Sequence, residues 1–175
     1  MHTKDKDENR KPVPLWQLIL LGRHPQLTAV RIVFLALAAF IVFKFIFLPI
    51  RVTGASMEPT YRDGSVNLVS AIPFCFRKPK RGEVVAIAMA GRHVMLLKRI
   101  VGLPGERISF NGGVLYINGQ RFVEPYLKTP CNWNMPAVTA GPDEYFVVGD
   151  NRGMPMEMHY FGRVNRKKIV GNILL

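Results

Sequence analysis

Apolar positions are distributed differently in the two parts of the chain. Residues 27–48 form an apolar run with the length of about 20 residues that a membrane-spanning helix requires. From residue 51 onward the pattern changes to short apolar runs separated by glycine and proline, which is typical of β-strands. We therefore predict a single N-terminal transmembrane helix followed by a mainly β domain.

The start of the chain is polar, charged and interrupted by proline up to residue 14. The apolar stretch 14–21 is too short to span a bilayer. It either lies at the membrane interface or packs against protein, and both alternatives stay open. We expect residues 1–26 to form a tail with a possible interfacial segment, 27–48 the helix and 49–175 the folded domain.

Two basic residues, Arg31 and Lys44, interrupt the long apolar run near its ends. Their long side chains can reach opposite headgroup layers while the uncharged stretch 32–43 remains in hydrocarbon. Pro49 then predicts the end of the helix. A buried core helix is the alternative, but a domain of this size has little interior for such a segment. The run is also too long for the apolar region of a cleaved signal, so we expect a retained anchor.

The strand-like runs of the second part lie at 66–70, 83–89, 93–101, 107–110, 114–117, 144–148 and 168–174. Asn111-Gly112-Gly113 predicts a hairpin turn, and Asn118-Gly119 predicts a second tight turn. No amphipathic helix follows residue 50 in the pattern. These features predict an antiparallel sheet or partial barrel.

The net charge of +12 is compatible with an anionic membrane or with nucleic acid. No nucleic-acid-binding motif is present and the basic residues are scattered, so we expect no nucleic-acid partner. Basic residues precede the helix, which favours a cytoplasmic N-terminus, although the other flank is basic too. Cys75 and Cys131 lack the spacing of a zinc site, and whether they form a disulfide stays open. We expect neither a metal nor a cofactor.

An apolar loop at 71–76 is followed at once by a basic stretch at 77–81. Burial of its phenylalanines, Phe74 and Phe76, is one interpretation. The alternative is a surface that enters the membrane interface, with the basic residues on lipid phosphates.

Ser56 is the candidate nucleophile, in a turn that begins at Gly54 directly after the apolar run. A serine hydroxyl needs a neighbouring base, and Lys98 is the best candidate because it lies among apolar residues. Burial favours the neutral amine and lowers a lysine pKa from its usual value of about 10.4. The alternative is an edge-strand lysine that points outward. The Ser56 amide is placed to donate to a developing oxyanion.

Four ordered groups of residues resemble the sequence boxes of the type I signal peptidases, membrane-anchored serine proteases with a Ser/Lys dyad. They lie at 54–60, 81–85, 98–106 and, for the last box, 149–152 with 160–164. The resemblance implies that Ser56 attacks the scissile carbonyl and that Lys98 is the general base. It implies a preprotein substrate cut after small residues in an Ala-x-Ala-like pattern, in the bacterial inner membrane, with the domain outside the cytoplasm.

The resemblance also implies further site residues. The substrate would add as a strand beside 50–55 and 95–97. Substrate-binding positions are Ile50, Val52, Met57, Leu96 and Leu97, and site-supporting positions are Arg99, Asp150, Asn151 and Arg152.

The sequence departs from the family pattern at several positions. Gly54 stands where many members carry a hydroxyl residue that assists the oxyanion. Pro155 stands where a serine that binds the lysine is usual, so we expect other groups or water to orient Lys98. Glu157 and His159 replace an Asp and an Arg, and we expect them to keep a weaker, pH-sensitive ion pair.

Two alternatives to a general signal peptidase follow from these departures. One is a specialised relative that processes a dedicated pilin or conjugation substrate, and the other is an inactive membrane protein that binds peptides. A soluble self-cleaving repressor with the same dyad is disfavoured by the anchor. The need for a partner subunit stays open.

Overall fold

A computed structural model describes residues 25–90 and 94–174. The predicted tail before residue 25, with its possible interfacial segment, lies outside the described residues. The helix and the β-rich part that follows it, Ile46–Leu175, form separate compact units.

Helix α1 spans Pro25–Ile46 and is long and apolar enough to cross a membrane. Its large apolar side chains, among them Phe34 and Phe40, are exposed. The helix ends before the predicted boundary at residue 48, because the next residues form strand β1, Phe47–Arg51. Pro49 accounts for this, since the residue before a proline favours an extended backbone.

The β-rich part contains a seven-stranded antiparallel sheet. Its strands after β1 are β2 (Val66–Ser70), β3 (Val84–Ala90), β4 (Val94–Gly102), β9 (Glu144–Val148), β10 (Gly162–Asn165) and β11 (Ile169–Ile173). They are arranged in the order β1-β2-β11-β3-β4-β9-β10. A second antiparallel sheet consists of β5 (Arg107–Asn111), β6 (Val114–Ile117), β7 (Gln120–Phe122) and β8 (Met135–Thr139), in the order β7-β6-β5-β8. The prediction of a mainly β, antiparallel fold is confirmed.

The predicted hairpin joins β5 to β6, where Asn111 pairs with Val114 across the turn. Gly112 and Gly113 both have positive φ there, of 53° and 80°, which glycine adopts without strain. Four strands were not predicted: β1, β7, β8 and β10. All four are short, and β1 and β8 contain proline, which weakens the local strand signal.

The apolar loop after β2 folds into a one-turn helix, α2 (Ile72–Phe76). Phe74 is buried, whereas Phe76 is 87% exposed. The burial interpretation is therefore correct for only one of the two phenylalanines. Cys75 on α2 and Cys131 before β8 are both free thiols, so the structure has no disulfide between them.

The two faces of β3 and β4 pack against different apolar groups. On one face Ala86 and Leu97, which pair in register, pack with Val52 and Met57. On the other face Ile87 pairs with Leu96 and packs in a separate cluster. A third cluster lies around Phe110 of the smaller sheet and Trp133 in the loop before β8.

Candidate active site

Ser56 lies in a single 3₁₀ turn, Ala55–Met57, that follows β1. Gly54 precedes it with φ 93° and ψ 151°, a backbone conformation that residues other than glycine rarely adopt. The Gly54 amide donates to Asp63 Oδ1 at 2.9 Å. Met57 is buried at the other end of the turn. The buried Met57 side chain thus fixes the turn, while Ser56 stays partly accessible.

Lys98 on β4 donates a hydrogen bond from Nζ to Ser56 Oγ at 2.5 Å. The lysine is only 2% exposed. Its burial lowers the pKa of the ammonium group to about 8, although the nearby Asp150 carboxylate opposes this shift. A large fraction of Lys98 is therefore neutral near pH 8 and able to accept a proton. The structure brings the two candidate catalytic side chains into direct contact.

Asn151 holds the serine turn at two points. Its backbone amide donates to the Ser56 carbonyl oxygen at 3.0 Å. Its side-chain Nδ2 donates to the Ala55 carbonyl oxygen, also at 3.0 Å. Because both bonds come from one residue, the position of Ser56 depends on the loop that follows β9.

Arg99 and Asp150 form a buried ion pair beside the dyad. Arg99 donates from Nε to Oδ1 at 2.8 Å and from Nη2 to Oδ2 at 2.5 Å. Thr60 Oγ1 also donates to Asp150 Oδ2, at 2.6 Å. These bonds connect β4 and the loop after β9 to the segment that follows the serine turn.

Arg152 joins the loop after β9 to the loop after β7. It donates to both carboxylate oxygens of Glu124, at 2.9 and 2.6 Å, and to the Gly149 carbonyl oxygen at 2.8 Å. The Arg152 side chain is 0% exposed and that of Glu124 4%. Glu124 was not predicted from the sequence, because no local pattern marks the partner of an arginine 28 positions away.

A small cavity of about 10 Å³ lies beside Ser56. Its lining includes four of the five predicted substrate-binding residues: Val52, Met57, Leu96 and Leu97. Ile50 is not among the lining residues and packs, half-buried, against the same apolar cluster as Val52.

The middle of the last sequence box, residues 153–159, differs from its prediction. Pro155 and Glu157 are exposed, whereas His159 is buried. The His159 ring packs edge-on against Trp133 with 4.7 Å between ring centroids. Neither ring nitrogen of His159 bonds to Glu157, so the expected ion pair between Glu157 and His159 is wrong. Burial and the Lys98 charge lower the pKa of His159 to about 4, which keeps the ring neutral.

In the described part of the chain, no group of three or more His, Cys, Asp or Glu side chains is arranged to hold a metal ion.

Comparison with known proteins gives consistent matches. The family model "Signal peptidase, peptidase S26" matches residues 26–175. Probable signal peptidase I-2 of Synechocystis sp. is 34% identical over 126 residues, which cover 69% of this chain and 58% of that protein. Signal peptidase I V of Bacillus subtilis is 33% identical over 147 residues, with 73% and 84% covered.

Among solved structures, a signal peptidase I from Enterococcus faecalis V583 is similar, with 30% sequence identity and a TM-score of 0.46. That match covers 57% of this chain and 98% of the other.

Proposed function

Because this chain belongs to the signal peptidase family, peptidase S26, we propose that it is a membrane-anchored serine endopeptidase that removes signal peptides from exported preproteins. Cleavage follows small residues in an Ala-x-Ala-like pattern. Ser56 is the nucleophile and Lys98 the general base, and no cofactor takes part.

The observation that carries this proposal is the 2.5 Å contact between Lys98 Nζ and Ser56 Oγ. In the neutral form, Lys98 accepts the Ser56 proton as Oγ attacks the scissile carbonyl carbon. The Ser56 amide donates to the oxyanion of the tetrahedral intermediate. The protonated Lys98 then gives its proton to the leaving amine, and water hydrolyses the acyl-enzyme with Lys98 again as base.

Two strand edges support the proposed mode of substrate binding. On its second side β4 pairs with β9 only from Arg99 onward, so Met95–Leu97 pairs with β3 alone in the described ladders. Strand β1 lies at the end of the sheet. The substrate adds between the 50–55 and 95–97 segments as a strand. Each segment runs, from its N-terminal to its C-terminal end, toward a dyad residue. The part of the substrate before the scissile bond runs toward the dyad in the same sense, so the substrate lies parallel to both segments.

The small cavity supports the proposed preference for a small side chain directly before the scissile bond. With a volume of about 10 Å³, the space beside Ser56 accepts a methyl group and little more. Alanine therefore fits at this position, and longer apolar side chains would collide with Met57 and Leu97.

We place the protein in the bacterial inner membrane, with its N-terminus in the cytoplasm and the β-rich part outside. The apolar helix α1 and the family support a membrane anchor. A relative that processes a dedicated substrate remains the second candidate, because Pro155 and His159 depart from the family's last box.

The direct test incubates the full chain in detergent with a preprotein that carries an Ala-x-Ala site. Ser56→Ala and Lys98→Ala should each reduce the cleavage rate by at least about a thousandfold, since each removes one member of a unit that acts together. Ser109→Ala and Lys167→Ala are matched controls outside the site and should cleave like wild type. Cleavage that survives in Ser56→Ala would disprove the proposed nucleophile.

A further inference from the structure

The two residues of the Ser56–Lys98 contact each line a cavity, and the two cavities differ greatly in size. The small one, described above, has a volume of about 10 Å³. The second has a volume of about 320 Å³ and is lined by Lys98 itself. Among the described lining residues, Leu96 is common to both cavities. A peptide bound beside Leu96 therefore has access to both cavities.

The strand register assigns the two cavities to opposite faces of the large sheet. Leu97 faces the apolar cluster that contains Met57, on the side of the small cavity. Leu96 and its partner Ile87 line the large cavity on the other face. Successive side chains of a strand point to opposite faces. A substrate strand added beside β4 must therefore send alternate side chains to the two cavities.

We propose that the large cavity is the subsite for the middle residue of the Ala-x-Ala pattern. This inference rests on the proposed function, because it requires a peptide strand whose last residue before the scissile bond enters the small cavity. The residue preceding that one then lies next to Leu96 with its side chain on the opposite face. The middle position thus meets a space that accepts a long side chain.

The chemistry of the large cavity indicates which long side chain fits best. Its floor is apolar and includes Ile87, Leu96, Val147 and Val164.

Its rim carries two exposed basic residues, Arg163 and Lys168. Among the described lining residues, Glu144 is the single acid; it accepts from the Gly141 amide at 2.9 Å and lies 3.8 Å from Arg163. With Lys98 neutral, these described residues keep one excess positive charge. A side chain with an apolar stem and a carboxylate tip, such as glutamate, matches this arrangement better than lysine does.

Binding of peptides to the full-length Ser56→Ala variant tests the subsite without turnover. Peptides that span one cleavage site and differ only in a middle Ala, Gln, Glu or Lys are compared by their Kd. We expect the Glu peptide to bind about threefold to tenfold more tightly than the Lys peptide, in the range of partly exposed charge pairs. The ratio should shrink at high salt, which screens exposed charges.

Charge reversal distinguishes direct contact from a structural effect. In the Ser56→Ala background, Arg163→Glu with Lys168→Glu should invert the preference, so that the Lys peptide binds more tightly than the Glu peptide. Lys167→Glu is the matched control, because Lys167 lies beside Lys168 in the 3₁₀ turn Arg166–Lys168 but is not among the lining residues of the cavity. That variant should keep the wild-type ratio.

Two readouts separate this inference from the proposed function. Cleavage of the peptide with middle Ala by wild type reports on the peptidase alone. Equal Kd values for the Glu and Lys peptides, or a ratio that charge reversal leaves unchanged, would overturn the subsite even if that peptide is cleaved. An inverted ratio supports the subsite whatever the cleavage rate.

Discussion

At the scale of single residues, the proposed chemistry depends on how Lys98 loses its charge. Burial lowers its pKa to about 8, and in the proposed mechanism only the neutral amine accepts the Ser56 proton. The kcat/KM of the full chain should therefore rise with pH and level off, with a midpoint near 8. A pH–rate profile with one peptide substrate at constant ionic strength measures this.

A variant at Asp150 provides the internal check on that profile. The Asp150 carboxylate raises the Lys98 pKa, so Asp150→Asn should move the midpoint below the wild-type value. A midpoint above pH 10 in wild type would show that Lys98 is solvated and would contradict the proposed role.

His159 makes a separate contribution at acidic pH. Its pKa is lowered to about 4, first by burial and then by the Lys98 charge, whereas the unfolded chain has the usual value of about 6.5. Between pH 4 and 6.5 the unfolded state therefore binds more protons at His159 than the folded state does. The contribution of His159 to the free energy of unfolding is complete above pH 6.5 and is lost as the pH drops toward 4. Thermal unfolding of the detergent-solubilised chain should show a falling Tm across this window.

The matched variant is His159→Leu, which fills a similar volume and cannot titrate. It should flatten the Tm between pH 6.5 and 4 relative to wild type. An unchanged slope in this variant would assign the acid sensitivity to the carboxylates instead.

At the scale of structural elements, the loop after β9 positions the serine turn. Asn151 binds two of its carbonyls, and Gly149 allows the close approach. A Cβ at Gly149 would lie 2.2 Å from the Ser56 carbonyl oxygen and 2.9 Å from His159 Nδ1. Gly149→Ala must therefore displace the turn, and we expect kcat to fall on the order of a hundredfold, as for a small misplacement of reacting groups.

Gly153→Ala is the control in the same loop, because its added Cβ would meet Thr129 at an ordinary 3.6 Å. It should retain near wild-type kcat. Circular dichroism of both variants shows whether the chain is folded. Equal activity of the two variants would contradict a role for the close approach at Gly149.

The same loop is attached to the segment after β7 by the Arg152–Glu124 pair. Removal of one partner from a buried ion pair costs about 3–5 kcal/mol, because the other charge stays buried and unpaired. Arg152→Met should reduce the free energy of unfolding by this amount in denaturant titrations. Arg77→Met, which breaks the partly exposed pair with Glu83, should cost much less, because water screens exposed ion pairs. Similar losses for the two variants would contradict this account.

At the scale of the whole molecule, the proposed topology predicts from which side of the membrane a thiol reagent can reach the β-rich part. Cys75 is a free, exposed thiol on α2, and Cys131 is half-buried. In spheroplasts that express the full chain, a membrane-impermeant maleimide should label Cys75 without lysis. Mass spectrometry of the digested protein measures the label at each thiol.

Cys75→Ser is the control and should remove most of the labelling. Labelling that appears only after lysis would place the β-rich part in the cytoplasm and contradict the proposed orientation.

The sequence alone was sufficient for properties that depend on local pattern. The length of an apolar run determines whether a helix can span a bilayer, and α1, Pro25–Ile46, overlaps the predicted 27–48 segment but begins and ends two residues earlier. Glycine at positive φ determines where the β5–β6 hairpin turns. The segments around Ser56 and Lys98 were recognisable because each motif is continuous in the chain.

Only the tertiary structure decided which distant residues meet. Glu124 lies opposite Arg152, His159 is buried against Trp133 rather than paired with Glu157, and β4 has one cavity on each of its faces. None of these follows from local pattern, because each depends on strand order and register that bring together residues far apart in the chain. The pKa of Lys98 belongs to the same class, since burial by the assembled sheet and the neighbouring Asp150 set its value, not the apolar sequence around it.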